Sequence, residues 1–196
     1  MPKLGMEPIR KEALVRATIA EIGANGSLDV TVAQIARRAG MSSGLAHHYF
    51  GGKEDIFLAA MRHTLSVYAA EVRGALTMAS SPNERVEAIV RAGFSQSNFR
   101  KDILAAWLNF YVLANTNAHA NRLLRVYQSR LRANLRHALR PNYSGKANEL
   151  ADRLAALIDG VYLQVGLNQD VYDRESAVKL VLSALADAPS VQTTRT

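Results

Sequence analysis

The sequence predicts an all-α protein on three observations. Almost every segment spaces its apolar residues as a helix does, strand-type alternation is absent, and Pro, Gly and Ser fall in short clusters that punctuate the chain. A first helix spans about Pro8 to Ala24, with Leu14, Ala17 and Ile22 facing inward and Gly26 as its stop. Thr31 opens a second, because Thr31 and Gln34 form a T-x-x-Q capping box that satisfies orphan backbone donors, and Gly40 breaks it. A short third helix covers Ser43 to Phe50 and ends on Gly51-Gly52. A long one then begins at Lys53-Glu54-Asp55, with acids in its first turn, and runs to about Thr77.

Ser81-Pro82-Asn83-Glu84 is another strong start, combining a capping box with proline at a position where no donor is lost. It predicts a helix from Pro82 to Ser97, followed by helices over Asp102 to Ala114 and Ala118 to Leu139, the last stopped by Arg140-Pro141. Two apolar helices close the chain, Ala147 to Leu167 and Arg174 to Ala186. The expected organisation is a three-helix helix-turn-helix domain over 1–52, a helical ligand-binding and dimerisation domain over 53–188, and a polar, disordered tail over 189–196.

Composition narrows the function classes. The 196 residues are 48% hydrophobic, enough for a core without staples, and hold no cysteine, which removes disulfides, thiolate metal sites and cysteine nucleophiles. No apolar run reaches the roughly 18 residues that span a bilayer and the N-terminus lacks a signal-peptide core, so a cytoplasmic protein with no membrane partner is expected. The five histidines show no metal-ligand spacing, and neither a phosphate loop nor a nucleophile motif is present, so no enzyme, no metal and no cofactor are expected. The net charge of +7 suits a polyanionic partner, yet residues 1–62 carry eight Lys/Arg against six Asp/Glu, a surplus of only two. The densest basic stretch, Arg122 to Arg140, has six arginines and no acid, and reads either as a solvated helix face or as an anion contact.

The function is carried by Thr31 to Phe50. Ala36, Ala39 and Gly40 are small where two crossing helices must approach, and Ile35, Met41, Leu45 and Phe50 are the apolar pins. Ser43, Gly44, His47, His48 and Tyr49 are left to face a groove or phosphates. Spacing alone also admits an ordinary helical hairpin. The residues go further: Thr31, Ile35-Ala36, Ala39-Gly40, Ser42, Gly44, Tyr49-Phe50 and Lys53-Glu54, with Arg10, Leu14, Ala17 and Gly26 before them, resemble the N-terminal domain of the TetR family of repressors. The resemblance is close over about residues 9–60 and lies only in helix layout beyond.

That resemblance implies that Ser43, Gly44 and His47 approach base edges while Thr31, His48, Tyr49 and Lys53 hold phosphates, with Ser42, Arg37 and Arg38 completing the set. Tyr49 can equally be core and His48 a plain surface residue. His47 departs from the tyrosine common at its position, which leaves the base contact there open.

The family pattern implies a homodimer reading two halves of a near-palindromic duplex operator. Leu150, Leu154, Leu157, Ile158, Val161 and Val165, with Val178, Val181, Leu182 and Leu185, recur at helical spacing and fit either a four-helix bundle with the twin or the core of one subunit. In the middle of the chain Trp107, Phe110 and Tyr111 share a helix face. Phe94, Phe99, Tyr127 and Tyr162 are candidate neighbours, and Asp159 sits one turn before Tyr162. These residues are either core or an aromatic box with one carboxylate, which suits a quaternary ammonium ion held by cation–π attraction.

A narrower likeness bears on that choice. The opening Met-Pro-Lys-Leu-Gly-Met, Ala33 to Gly40, His48-Tyr49-Phe50, Ala106-Trp107-Leu108 and Ala155 to Gly160 are similar to choline-responsive repressors of glycine betaine synthesis within the same family. The implied role is repression of genes for choline uptake and for oxidation of choline to the osmoprotectant betaine, relieved by choline. The alternative is a TetR-type repressor answering a different ligand, such as a hydrophobic or lipophilic cation.

Overall fold

A computed structural model describes residues 5–168 and 171–186, and all of its regular structure is helical. The described helices are α1 (Met6–Asn25), α2 (Val32–Arg38), α3 (Ser43–Phe50), α4 (Lys53–Met78), α5 (Pro82–Gly93), α6 (Lys101–Ala114), α7 (Ala118–Tyr143), α8 (Ala147–Leu167) and α9 (Arg174–Ser183). The expected tail over 189–196 lies outside the described residues.

The chain forms two compact units. The first joins Met1–Ser66 with Arg100–Leu123 and the second joins Val67–Phe99 with Leu124–Thr196. The first takes in more than the head expected over 1–52, because α1 lays its apolar side along α6 as well as α2 and thereby recruits α6 to the N-terminal helices. Leu14 and Ile22 of α1, Ile35 of α2, Ile56 and Met61 of α4 and Phe110 of α6 are fully buried there. Each such side chain contributes roughly 1.5–3 kcal/mol by leaving water. Where α1 meets α6 a Cβ on Gly23 would collide with the Cα and Cβ of Asp102, so glycine sets how closely those helices approach.

In the second unit α9 packs on α8 and α5, around a core that includes Ile89, Phe94, Leu131, Leu135, Leu139, Leu150 and Leu154. Two helix ends differ from expectation. The α5 helix stops at Gly93 instead of Ser97, because Ser95 Oγ accepts from the Asn98 N–H at 3.3 Å and a side chain replaces the next helical bond. Conversely α7 runs through Pro141 to Tyr143, since that proline falls in the last turn, where few further backbone bonds depend on it. The α9 helix ends at Ser183, with turns continuing to Ala186.

Candidate DNA-reading head and effector site

The head is built on its caps. Thr31 Oγ1 accepts from the Gln34 N–H at 3.2 Å and Gln34 Oε1 accepts from the Thr31 N–H at 2.6 Å, so the capping box is complete and starts α2 at Val32. Gly40 takes a positive φ of 69°, and Met41 N–H then donates to Ala36 O at 2.9 Å, which closes the turn. Ser42 caps α3 by accepting from the Leu45 N–H at 3.3 Å. Ile35, Ala36 and Ala46 are buried, whereas the other expected pins, Met41, Leu45 and Phe50, are half-buried. Ser42, Ser43, Gly44, His47 and His48 form the exposed side of α3. A Cβ at Gly44 would meet nothing, so no packing inside the subunit demands glycine there.

Around this face the remaining candidates divide. Arg37 is exposed, but Arg38 pairs through Nε with the buried Glu21 of α1, which commits its charge to holding α2 on α1. Tyr49 is half-buried, with its ring 5.5 Å from that of His48 and Lys11 Nζ 5.8 Å from its centroid, so it is partly packing and partly surface. Lys53 Nζ donates to Leu28 O at 3.1 Å and ties the start of α4 to the loop before α2. His47 is exposed, and its Nδ1 lies 2.8 Å from Gly51 O.

The residues of the expected aromatic box are shared between the two units. On α6, in the first unit, Trp107 stacks edge-on to Phe110 and tilted to Tyr111, with ring centroids 5.7 Å apart in both pairs. Phe110 is wholly buried and serves as core. In the second unit Phe94 contacts Phe99 at 6.1 Å and Tyr162 at 6.5 Å, and Tyr127 donates its hydroxyl to Asp159 Oδ1 at 3.2 Å. The Tyr162 hydroxyl donates to the carbonyl of Asn98.

Two residues that the pattern reading missed belong to the second cluster. The Tyr68 ring meets Tyr127 edge-on at 5.8 Å, and burial, with the charges of Asp159 and then Glu71, pushes its phenol well above the ordinary value. Glu71 accepts from Ser95 Oγ at 2.8 Å, from Ser97 Oγ and from Asn98 Nδ2 at 3.0 Å, so three donors fix its carboxylate. The i, i+3 spacing of Tyr68 and Glu71, and the polar run Ser95 to Asn98 after Gly93, were the available signals.

Comparison with known proteins gives the head and the helical remainder separate matches. Residues 14–60 match the family described as bacterial regulatory proteins, tetR family, and residues 82–189 match the BetI-type transcriptional repressor, C-terminal. The chain is a BetI-type member of the TetR family. It is 48% identical over 187 residues to the HTH-type transcriptional regulator BetI of Brucella suis, covering 95% of this chain and 94% of that protein.

A crystal structure described as a transcriptional regulator from Pseudomonas aeruginosa PAO1 aligns with a TM-score of 0.79 at 26% identity, covering 94% of this chain and 91% of that one. A further one from Saccharomonospora viridis, solved in complex with choline, aligns at 0.80 with 20% identity, covering 93% and 98%; at that identity it shows the fold. The BetI-type chain is thus a DNA-binding transcriptional repressor rather than an enzyme, and TetR regulators bind DNA and small effectors and act as dimers.

For the BetI-type dimer the structure redirects part of the expected interface. Leu150, Leu154, Ile158, Val161, Val165, Val178 and Val181 are buried within the single chain, because the apolar stripe that patterns α8 and α9 packs against their own subunit. Leu157, Leu182 and Leu185 are half-buried, and the last two line a groove with Val86 and Tyr143. The large apolar side chains that α8 and α9 leave exposed are Leu163, Leu167 and Leu180.

Proposed function

We propose that this repressor is released from its operator by choline and governs genes for choline uptake and for conversion of choline to glycine betaine in the cytoplasm. The observation that carries the ligand class is the tyrosine cluster of the second unit, where Tyr68, Tyr127 and Tyr162 lie beside the carboxylates of Asp159 and Glu71. A quaternary ammonium ion donates no ordinary hydrogen bond. Ring faces attract it by about 0.5–2 kcal/mol each, and a fixed carboxylate supplies the opposite charge.

Both the BetI-type relatives and the choline complex of the Saccharomonospora viridis protein support this reading. No described helix is long and apolar enough to cross a membrane.

The mechanism is a two-state shift. Choline must bind more tightly to the dimer arrangement whose heads no longer match successive major grooves about 34 Å apart, since only a differential affinity can move the equilibrium. On the reading side, Ser43, Gly44 and His47 face base edges and Thr31, Arg37, His48, Tyr49 and Lys53 the phosphates. The partner face is formed by the exposed leucines of α8 and α9.

The test is a gel shift with the DNA upstream of the protein's own gene. Choline is expected to release the complex, and betaine at equal concentration is the control. Binding of choline by calorimetry with no change in operator affinity would sink the coupling, and release only by larger lipophilic cations would reassign the ligand.

A further inference from the structure

We propose that His47 is locked in one tautomer and reads an exocyclic amino group on the operator, adenine N6 or cytosine N4, through Nε2 acting as a hydrogen-bond acceptor. This rests on the proposed function, in which α3 presents Ser43, Gly44 and His47 to base edges. The lock is a contact with the backbone. His47 Nδ1 lies 2.8 Å from Gly51 O, and a carbonyl oxygen has no proton to give, so Nδ1 must carry the hydrogen. In neutral imidazole the other nitrogen is then left with a bare lone pair.

The carbonyl is aimed by backbone geometry. Gly51 sits at φ 73° and ψ −65°, the centre of a γ-turn in which Gly52 N–H donates to Phe50 O at 2.8 Å. A side chain at that φ is strained, so Gly51 serves a purpose beyond stopping α3: it turns its C=O back onto the histidine ring. Gly51 N–H also donates to His47 O at 2.8 Å, so both the backbone and the side chain of His47 are tied to the same residue.

His47 is exposed on the same side of α3 as Ser43 and Gly44. A serine hydroxyl donates or accepts as the base requires, and glycine offers no side chain. The imidazole is therefore the one group on this side of α3 whose hydrogen-bond sign is set in advance. Guanine presents only acceptors, O6 and N7, along the major groove, and thymine presents O4 and a methyl group. Adenine and cytosine present amino donors. Every base pair thus shows one amino donor, on one strand or the other, and an acceptor-only Nε2 selects the pair and orientation that bring that donor to it.

The experiment has two arms, both on the full chain at about pH 8, above the ordinary imidazole range. Nitrogen-15 shifts of the labelled histidine ring should show Nδ1 protonated and Nε2 bare, and the opposite tautomer would overturn the proposal. Selection from randomised duplexes should find one base pair per half-site that His47→Ala alone flattens, and at that pair an analogue lacking the exocyclic amino group, purine for adenine or 2-pyrimidinone for cytosine, should cost wild type about tenfold and His47→Ala nothing. His47 is exposed, so the substitution spares the core. A flattened pair at which removing the amino group costs wild type nothing would defeat the tautomer assignment while leaving α3 as the reading helix. No flattened position would remove the base contact, and the proposal with it.

Discussion

Two side chains on α4 show how a charge is placed for use. Lys53 Nζ donates to Leu28 O, so its ammonium is kept at the edge of the head, where it can exchange that carbonyl for a phosphate. Lys53→Ala is expected to weaken binding to all duplexes alike and to lower the slope of log affinity against log salt by about one unit, read by fluorescence anisotropy over a salt series. An unchanged slope would remove Lys53 from the phosphate contacts.

Glu71 is fixed by Ser95, Ser97 and Asn98, and Asn98 in turn accepts from Tyr162, so charge and ring position are linked. Glu71→Gln should cut choline affinity about tenfold in calorimetry yet spare the uncharged isostere 3,3-dimethylbutanol. Equal losses for both compounds would make Glu71 a structural residue only. Neither contact was legible from spacing, because hydrogen bonds between α4 and the turn after α5 join positions more than twenty residues apart.

At the scale of helices, local chemistry decided most boundaries. The α3 and α8 spans follow the sequence pattern at both ends, since each is bounded by a cap or a turn: Ser42 and Gly51 for α3, and the turn before Ala147 for α8. The α5 and α7 ends did not follow it, because a serine hydroxyl competing with the backbone and a proline in a last turn are settled by context.

The start of α5 yields a pH prediction. Glu84 accepts from the Ser80 N–H at 2.7 Å, and Ser81 Oγ accepts from the Glu84 N–H at 3.2 Å. The bond from Ser80 first, then those that the Ser81 hydroxyl and backbone offer the carboxylate, hold the carboxyl below its ordinary value. A lowered folded-state value means that its stabilisation is full above the unfolded value and disappears as pH falls through the folded one. Thermal melts should therefore show wild type losing more stability than Glu84→Gln between about pH 5 and pH 3. Parallel losses would show that the bond to Ser80 carries no linkage.

For the whole molecule the interface is where the apolar pattern left two readings open. An apolar stripe on a helix states that the face is covered but not by what, and on α8 and α9 most of it proved to be covered by the same chain. On the partner face proposed above, the dimer depends on the leucines left outside. Leu163→Glu with Leu167→Glu should yield monomers in sedimentation while leaving helical content intact, and operator binding should fall with dimerisation because one head buries too little duplex. A dimer that survives both substitutions would place the partner face elsewhere.

The close approach of α1 and α6 at Gly23 has a consequence for heredity. Every missense change at that codon adds a Cβ where Asp102 already stands, and α6 must yield. In a population of random mutants scored by a reporter gene under the operator, codon 23 should be nearly empty of tolerated alleles, like the codons of the reading helix itself. A tolerated Gly23→Ala in that screen would mean that the two helices can part without silencing the repressor. Its absence would record, as a gap in natural variation, a contact that involves neither DNA nor ligand.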